Sequence, residues 1–182
     1  MPTLQVVIGS TRPGRVGPAV AAWVQDEARG QGSFDVELID LADVALPLLD
    51  EPNPPRMGQY IHDHTKAWSA VVARANAFVF VNPEYNHGYN AALKNAIDFL
   101  YHEWVGKPVA FVSYGGTAGG TRAVQALKQV TLAVKMMPLF EGVVIPSVRD
   151  LIDDAGALTP TPFMSASITA MLDELARVLR PT

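Results

Sequence analysis

Three polar, glycine-containing stretches interrupt an otherwise apolar chain, and the first is suited to binding an anion. This stretch, GSTRPGRVG at residues 9–17, spaces Gly9 and Gly14 as a phosphate-binding P-loop does. Arg15 and Val16 occupy the positions where a nucleotide-hydrolysing loop carries Lys and Ser or Thr, which disfavours ATP or GTP hydrolysis. Backbone N–H groups, a helix dipole and two arginines remain, and together they favour a phosphate monoester. The alternative is a Ser- or Thr-capped turn whose arginines point to solvent.

The second stretch, PEYNHGYN at residues 83–90, carries more rings and amides than a simple turn requires. Asn90 can cap the helical segment that follows it. Glu84 has three open roles, as a general base, a capping group or a solvated carboxylate, and no neighbour in sequence would raise its pKa for the first. His87 is either a polar loop residue or a contact to a ligand ring. The whole stretch has the alternative of packing on a neighbouring subunit.

The third stretch, SYGGTAGGTRA at residues 113–123, has four glycines within six positions. Glycine lets the main chain approach a ligand closely and adopt positive φ. Thr at position 117 breaks the G-x-G-x-x-G pattern, which disfavours a dinucleotide-binding Rossmann domain. Taken with the first two stretches, this one describes a ligand with a phosphate at one end and a flat ring at the other. FMN fits, with its phosphate at 10–17 and its isoalloxazine against 83–86 and 114–116.

The elements that must position these stretches are five apolar runs separated by segments of helical spacing. The runs are residues 4–9, 34–41, 77–81, 108–115 and 142–146. Continuous apolar strands alternating with helices predict a parallel sheet covered on both faces, and right-handed crossovers then favour a doubly wound three-layer sandwich. Ligands bind beyond the carboxyl ends of such strands, where all three stretches lie. No linker or repeat divides the chain, so we expect one domain over 1–182.

Several further residues have structural interpretations. Asp40 is predicted to cap a helix or turn, because no glycine fingerprint supports a ribose-binding role. His62 and His64 are two positions apart, which on a helix does not bring side chains together, so a solvated helix start is favoured over a metal site. An apolar stripe is formed by Ile61, Thr65, Trp68, Val72 and Ala75, which places Trp68 in the core. Trp104 is open to packing across a subunit boundary.

Composition excludes several classes of function. The 182 residues include 49% apolar and 18% charged side chains, with a net charge of −4 that disfavours nucleic acid as a partner. No cysteine is present, which removes disulfides and thiolate catalysis and fits a reducing compartment. We see neither a signal peptide nor a run long enough to span a membrane. The expected location is the cytoplasm, with no membrane partner.

The quoted motifs carry a family resemblance. GSTRPGRVGPAVAAWV, PEYNHGYNAALKNAIDFL and SYGGTAGGTRA resemble the NADPH-dependent FMN reductases of the flavodoxin-like superfamily, a group that includes bacterial quinone, azo-compound and chromate reductases. The resemblance runs over nearly the whole chain in the right order. It implies an α/β flavodoxin-like sandwich with strand order 2-1-3-4-5. It also implies non-covalent FMN, NADPH or NADH as electron donor, a small-molecule electron acceptor, and a homodimer or homotetramer.

The same resemblance implies a set of flavin-binding residues. Those implied for the FMN phosphate are Ser10, Arg12, Arg15, Val16 and Gly17. Those implied for the borders of the isoalloxazine are Pro83, Glu84, Tyr85, Asn86, Tyr114, Gly115 and Gly116. No catalytic side chain is implied, because hydride passes through the flavin itself. The rival interpretations are a flavodoxin-type electron carrier without reductase activity, and a flavin-free protein that binds a phosphorylated metabolite.

Overall fold

The computed structural model describes residues 1–180, which form a five-stranded parallel sheet flanked by helices. The strands are β1 (Thr3–Ile8), β2 (Asp35–Asp40), β3 (Ala77–Pro83), β4 (Pro108–Tyr114) and β5 (Met137–Ile145). Their order across the sheet is β2-β1-β3-β4-β5, and every neighbouring pair is parallel. This arrangement confirms the expected flavodoxin-like topology.

Within residues 1–180, six α-helices cover the two faces of the sheet. They are α1 (Gly17–Gln31), α2 (Leu41–Val44), α3 (Asp63–Ala73), α4 (Ala91–Asp98), α5 (Thr121–Ala133) and α6 (Pro162–Val178), with short 3-10 helices at Pro55–Met57 and Val148–Leu151. α1 and α6 share one hydrophobic core with the sheet, while α3, α4 and α5 share the other. None of the helices within residues 1–180 combines the length and the apolar character needed to cross a membrane.

The burial of each strand explains how well its position was predicted from the sequence. All seven residues of β3 and all seven of β4 are buried, because central strands are covered on both faces, and these appear in the sequence as unbroken apolar runs. β5 is an edge strand and begins at Met137, ahead of the expected start at residue 142. Its first half was not predicted because Phe140, 92% exposed, and Glu141 interrupt the apolar pattern there.

Two expectations about packing were wrong. Trp104 is only 1% exposed and packs within the core on the rings of Trp68 and Phe78, so it does not lie at a subunit boundary. Ile61 is exposed and precedes α3, whereas the other four residues of its predicted stripe, Trp68 among them, are buried. The stripe therefore starts one turn later than the spacing indicated.

The histidine pair at the start of α3 also differs from expectation, since His62 precedes the helix and His64 lies within it. The rings of His62 and His64 stack 5.1 Å apart at an interplanar angle of 10°, since His62 has an extended backbone and is not yet helical. Both rings are within hydrogen-bonding distance of Asp50, at its backbone and side-chain oxygens respectively. This contact attaches the proline-rich loop 42–60 to the start of α3.

Candidate functional site

A cleft of about 460 Å³ opens at the carboxyl ends of the strands. It is lined by Arg12, Arg15, Val16, Pro83, Glu84, Tyr85, Tyr114, Gly115, Gly116, Ser147, Val148, Arg149 and Asp150. Nine of the twelve residues implied for flavin binding are therefore on its walls, while Ser10, Gly17 and Asn86 are not. The loop after β1 and the loop after β3 meet here, at the point where the strand order reverses, which is where ligands bind in sheets of this type.

Ser10 and Gly17 shape the floor of the cleft. The buried hydroxyl of Tyr114 donates a 3.0 Å hydrogen bond to the buried hydroxyl of Ser10. A Cβ atom at position 17 would collide with the Ser10 hydroxyl and lie 2.8 Å from that of Tyr114, so only glycine lets α1 begin this close to them. Burial raises the pKa of Tyr114 to about 12, which keeps its phenol protonated at neutral pH.

Arg15 is committed to an ion pair. Its Nη1 and Nη2 atoms lie 2.5 and 2.6 Å from the two carboxylate oxygens of Asp40, and Nη1 also donates to the backbone oxygen of Ser10 at 2.5 Å. The hydrogen bond to Asp40 raises the pKa of Arg15. Although burial disfavours the charged form of Asp40, the bonds from Arg15 and from the Ala42 N–H lower the pKa of Asp40 overall. Asp40 thus caps α2, as predicted, and balances the charge of Arg15.

Two other arginines line the cleft without such a partner among the described residues. The guanidinium carbon of Arg12 is 5.9 Å from the centre of the Tyr85 ring. Arg149 reaches across from the turn after β5, and its Nη2 atom is 3.5 Å from the backbone oxygen of Gly14. Among the described residues neither guanidinium is paired with a carboxylate, so both are available to an anion in the cleft.

Glu84 acts as a capping group, one of its three open roles. Its carboxylate accepts hydrogen bonds from the backbone N–H groups of Arg122, at 3.1 Å, and Ala123, at 3.4 Å, in the first turn of α5. It also pairs with the Arg122 guanidinium, whose Nε is 2.6 Å away. Burial opposes ionisation of this 7% exposed side chain, yet Arg122 and the α5 N–H groups lower the pKa of Glu84 overall. A carboxylate so held is unsuited to accepting a proton.

A tight hairpin follows Glu84 and leads into α4. Tyr85 and Gly88 exchange two backbone hydrogen bonds of 2.9 Å. The residues between them, Asn86 and His87, have φ values of 49° and 67°, the positive pair that a type I′ turn requires. Asn90 then caps α4 as expected, because its side-chain oxygen accepts from the Leu93 N–H at 2.9 Å.

A second basin adjoins the cleft on the far side of Glu84. Its volume is about 680 Å³, and it shares Glu84 and Gly116 with the cleft. The residues that line only this second basin are Asn86, His87, Thr117, Ala118, Gly119, Gly120 and Arg122. Asn86 is therefore placed here and not in the cleft. Among the described residues, no group of three or more His, Cys, Asp or Glu side chains is arranged to hold a metal ion.

Sequence reasoning missed the contribution of the turn after β5. Residues 147–150 supply four lining positions of the cleft, including Arg149. The segment PSVRD has neither the glycines nor the aromatic rings that distinguished the other three stretches. Its position in the chain could have identified it, because the loop after every strand of a parallel sheet emerges at the same edge of the sheet.

Known proteins with related sequences fall into one group. The family model described as NADPH-dependent FMN reductase matches residues 2–150. An NAD(P)H-dependent FMN reductase of Schizosaccharomyces pombe is 44% identical over 165 residues, covering 87% of this chain and 82% of the relative. A quinone reductase of Pseudomonas putida is 31% identical over 180 residues, covering 91% of this chain and 90% of the relative.

The fold is shared with a solved flavoenzyme. FerB, an NAD(P)H:(acceptor) oxidoreductase from Paracoccus denitrificans, superposes with a TM-score of 0.76 at 22% identity, covering 97% of this chain and 98% of FerB. At 22% identity this match shows only that the two proteins share a fold. Family membership is shown by the family model and by the two sequence relatives. The chain belongs to the NADPH-dependent FMN reductase family.

Proposed function

We propose that the chain is a flavoprotein oxidoreductase that holds FMN non-covalently in the cleft and takes electrons from NADPH or NADH. Its product is a reduced small molecule, a flavin, a quinone or a similar acceptor. The observation that carries this proposal is the cleft itself, whose lining combines two arginines that pair with no carboxylate among residues 1–180, Arg12 and Arg149, with two tyrosines and glycine backbone. The relatives named as FMN and quinone reductases support the same activity.

The phosphate end of the flavin fits the start of α1. Val16 precedes this helix without making a side-chain cap, so the backbone N–H groups of Gly17 and Ala19 remain available to phosphate oxygens, while Pro18 has no N–H group. Arg12 and Arg149 both line the cleft. Arg15 contributes by holding the loop through Asp40, while Ser10 and Gly17 contribute by shaping the floor.

The ring end fits the loops after β3 and β4. Pro83, Tyr85 and the backbone at Glu84 form one wall, and Tyr114, Gly115 and Gly116 form the other. Gly116 has no neighbouring heavy atom within 4 Å of where a Cβ would stand, which leaves room for a flat ligand. Asn86, which lines the second basin, would reach the ring only at the edge that the basin shares with the cleft. When bound there, FMN supplies the hydride and electron transfer, and the protein supplies position and electrostatics.

The carboxylates of Glu84 and Asp40 are committed to ion pairs, so neither is placed for acid–base work. Glu84 is occupied by Arg122 and the α5 backbone, and Asp40 is occupied by Arg15. The phenol of Tyr114 keeps its proton because burial raises its pKa to about 12. The chain's own contribution is therefore to bind the phosphate, orient the ring and leave one ring face open to nicotinamide and acceptor in turn.

A flavin spectrum followed by anaerobic reduction tests the proposal. Purified protein titrated with FMN is expected to bind it, and NADPH or NADH alone is expected to bleach the bound flavin within seconds. Bound flavin that neither nucleotide bleaches would identify a flavodoxin-type electron carrier. Protein that binds no FMN would instead support the flavin-free phosphate binder.

We also propose that this single domain, spanning 1–182, works in the cytoplasm as a homodimer or homotetramer. Large apolar side chains exposed on the surface support self-association, Leu48 at 83% and Phe140 at 92% among them. Sedimentation at several protein concentrations is expected to give a mass of two or four chains. A single-chain mass at micromolar concentration would contradict the oligomer.

A further inference from the structure

The second basin contains hydrogen-bond donors that the proposed FMN site does not use. The N–H groups of Gly116, Thr117 and Ala118 donate to no acceptor among residues 1–180, whereas those of Gly119 and Thr121 donate to backbone oxygens within the loop. Three consecutive unpaired N–H groups at the surface make the kind of concavity that binds anions. Thr117 and Ala118 line only this basin, so they are outside the cleft assigned to the flavin.

Arg122 is fixed beside these donors. Its Nε and Nη2 atoms pair with Glu84, and its side chain remains 50% exposed at the edge of the basin. The Nη1 atom makes no hydrogen bond within the described part of the chain, so one edge of the guanidinium fork stays free. The Glu84 carboxylate also accepts hydrogen bonds from two N–H groups of α5, in addition to its pairing with the Arg122 side chain. The ion pair therefore orients Arg122 without consuming all of its donors.

His87 also lines the second basin. It sits at the tip of the hairpin with a φ of 67°, a left-handed conformation that favours glycine over a residue with a side chain. The chain nonetheless carries an imidazole at this position, where it lines the basin together with Arg122. Strained backbone of this kind is concentrated at ligand-binding sites.

We propose that the second basin binds phosphate oxygens of the nicotinamide dinucleotide that reduces the flavin, through Arg122, His87 and the N–H groups of Thr117 and Ala118. This assignment rests on the proposed function, because it requires a nicotinamide at the ring end of the cleft. The basin shares Glu84 and Gly116 with that end, so a dinucleotide seated over the ring extends directly into it. The recognised chemistry is a phosphate oxyanion, either the pyrophosphate common to NADH and NADPH or the 2′-phosphate of NADPH alone.

Stopped-flow reduction of FMN-loaded protein without oxygen tests this assignment. The apparent Kd for the nucleotide and the limiting rate are measured with NADH and NADPH for the wild type, Arg122→Gln and His87→Gln. We expect Arg122→Gln to raise the apparent Kd by about tenfold, the loss of one charge-assisted contact, with a limiting rate within about twofold of the wild type. His87→Gln, an exposed substitution away from the Glu84 pair, is expected to raise it by about threefold.

The comparison of the two nucleotides separates the sources of the phosphate. A weaker Kd for both indicates the pyrophosphate, and a weaker Kd for NADPH alone indicates the 2′-phosphate. The matched control is Arg177→Gln, which removes an exposed arginine that pairs with Glu174 on α6, far from the basin in sequence, and it should change neither constant. If both nucleotides reduce the wild type, and Arg122→Gln and His87→Gln have the same apparent Kd for the nucleotide as the wild type, the proposed phosphate site is wrong. The proposed function would still stand. Wild-type protein that holds FMN but is reduced by neither nucleotide would overturn the proposed function.

Discussion

The hydroxyl of Tyr114 donates a hydrogen bond of 3.0 Å to the hydroxyl of Ser10, a residue 104 positions earlier in the chain. Tyr114 ends β4 and Ser10 follows β1, and these two strands are not neighbours in the sheet, since β3 lies between them. Both side chains are buried. The bond therefore joins two of the loops that line the cleft, under the position proposed for the flavin.

Removing the Tyr114 hydroxyl is expected to destabilise the fold. Tyr114→Phe leaves the buried hydroxyl of Ser10 without its donor, which should lower the free energy of unfolding by about 1–2 kcal/mol. Ser10→Ala should cost a similar amount. Because both variants break the same bond, the double variant should cost less than the sum of the two. Urea denaturation of the four proteins measures this coupling, and strictly additive losses would contradict the bond.

Tyr114 also makes alkaline stability depend on pH. Burial raises its pKa to about 12, against 10.0 for an unperturbed tyrosine. Below pH 10 the folded and unfolded chains both keep the proton, so this contribution to stability is fully present. As the pH rises from 10 to 12 the unfolded chain loses its proton first, and folding weakens by up to about 3 kcal/mol. Urea midpoints at pH 8 and pH 11 should fall less for Tyr114→Phe than for the wild type; equal falls would contradict the raised pKa.

Arg12 and Arg15 are expected to respond oppositely to replacement by alanine. Within residues 1–180 Arg12 pairs with no carboxylate, so Arg12→Ala should weaken FMN binding by about 1.5–3 kcal/mol and leave the melting temperature unchanged. Arg15→Ala should mainly destabilise the fold, by about 2–3 kcal/mol, because it leaves the largely buried carboxylate of Asp40 unpaired.

Fluorescence titration with FMN and thermal melts measure the two effects separately. Arg29→Ala, in the last turn of α1, is a matched control that should change neither quantity. An unchanged FMN dissociation constant in Arg12→Ala would remove Arg12 from the phosphate site. A stable Arg15→Ala variant with weak FMN binding would return Arg15 to it.

The contrast between these arginines shows where sequence reasoning stops. Both lie in one loop and both resemble phosphate ligands, and their separation depends on Asp40, which is 25 positions from Arg15. Asp40 ends β2, the strand paired with β1, so the contact arises from strand pairing and not from local spacing. The parallel sheet was predictable from the residues, because buried parallel strands leave continuous apolar runs, whereas the strand order followed from the family resemblance.

Edge positions were harder to predict for a related physical reason. β5 has one neighbour in the sheet, and its first half alternates exposed and buried residues, so its apolar signal is weak. The turn that follows it brings Arg149 to the cleft without any glycine-rich or aromatic signature. Sequence identified the three loops that carry distinctive residues and missed the one that contributes by position alone.

Glu84 is expected to stabilise the start of α5. Glu84→Ala removes the acceptor for the N–H groups of Arg122 and Ala123 and should lower the free energy of unfolding by about 1–2 kcal/mol. Glu84→Gln keeps one oxygen in the same place and should lose less. Because the pKa of Glu84 is lowered in the folded state, its contribution is present above the pKa of the unfolded chain and is lost as the pH falls through the folded value. Urea midpoints at pH 7 and pH 3 should therefore converge for wild type and Glu84→Ala; a constant difference would exclude the ionised cap.

The turn at Asn86 and His87 allows stability and function to be separated at one position. His87→Gly should raise the free energy of unfolding by about 0.5 kcal/mol, because relief of the positive φ outweighs the entropy that glycine adds to the unfolded chain. His87→Ala keeps the strained backbone and should give no such gain, while both variants lose the imidazole from the second basin. Urea denaturation should thus show that His87→Gly is more stable than the wild type. Anaerobic reduction should show that the same variant has a higher apparent Kd for NADPH. If His87→Gly and His87→Ala were equally stable, the positive φ would carry no cost, and the argument that the histidine is retained for binding would fail.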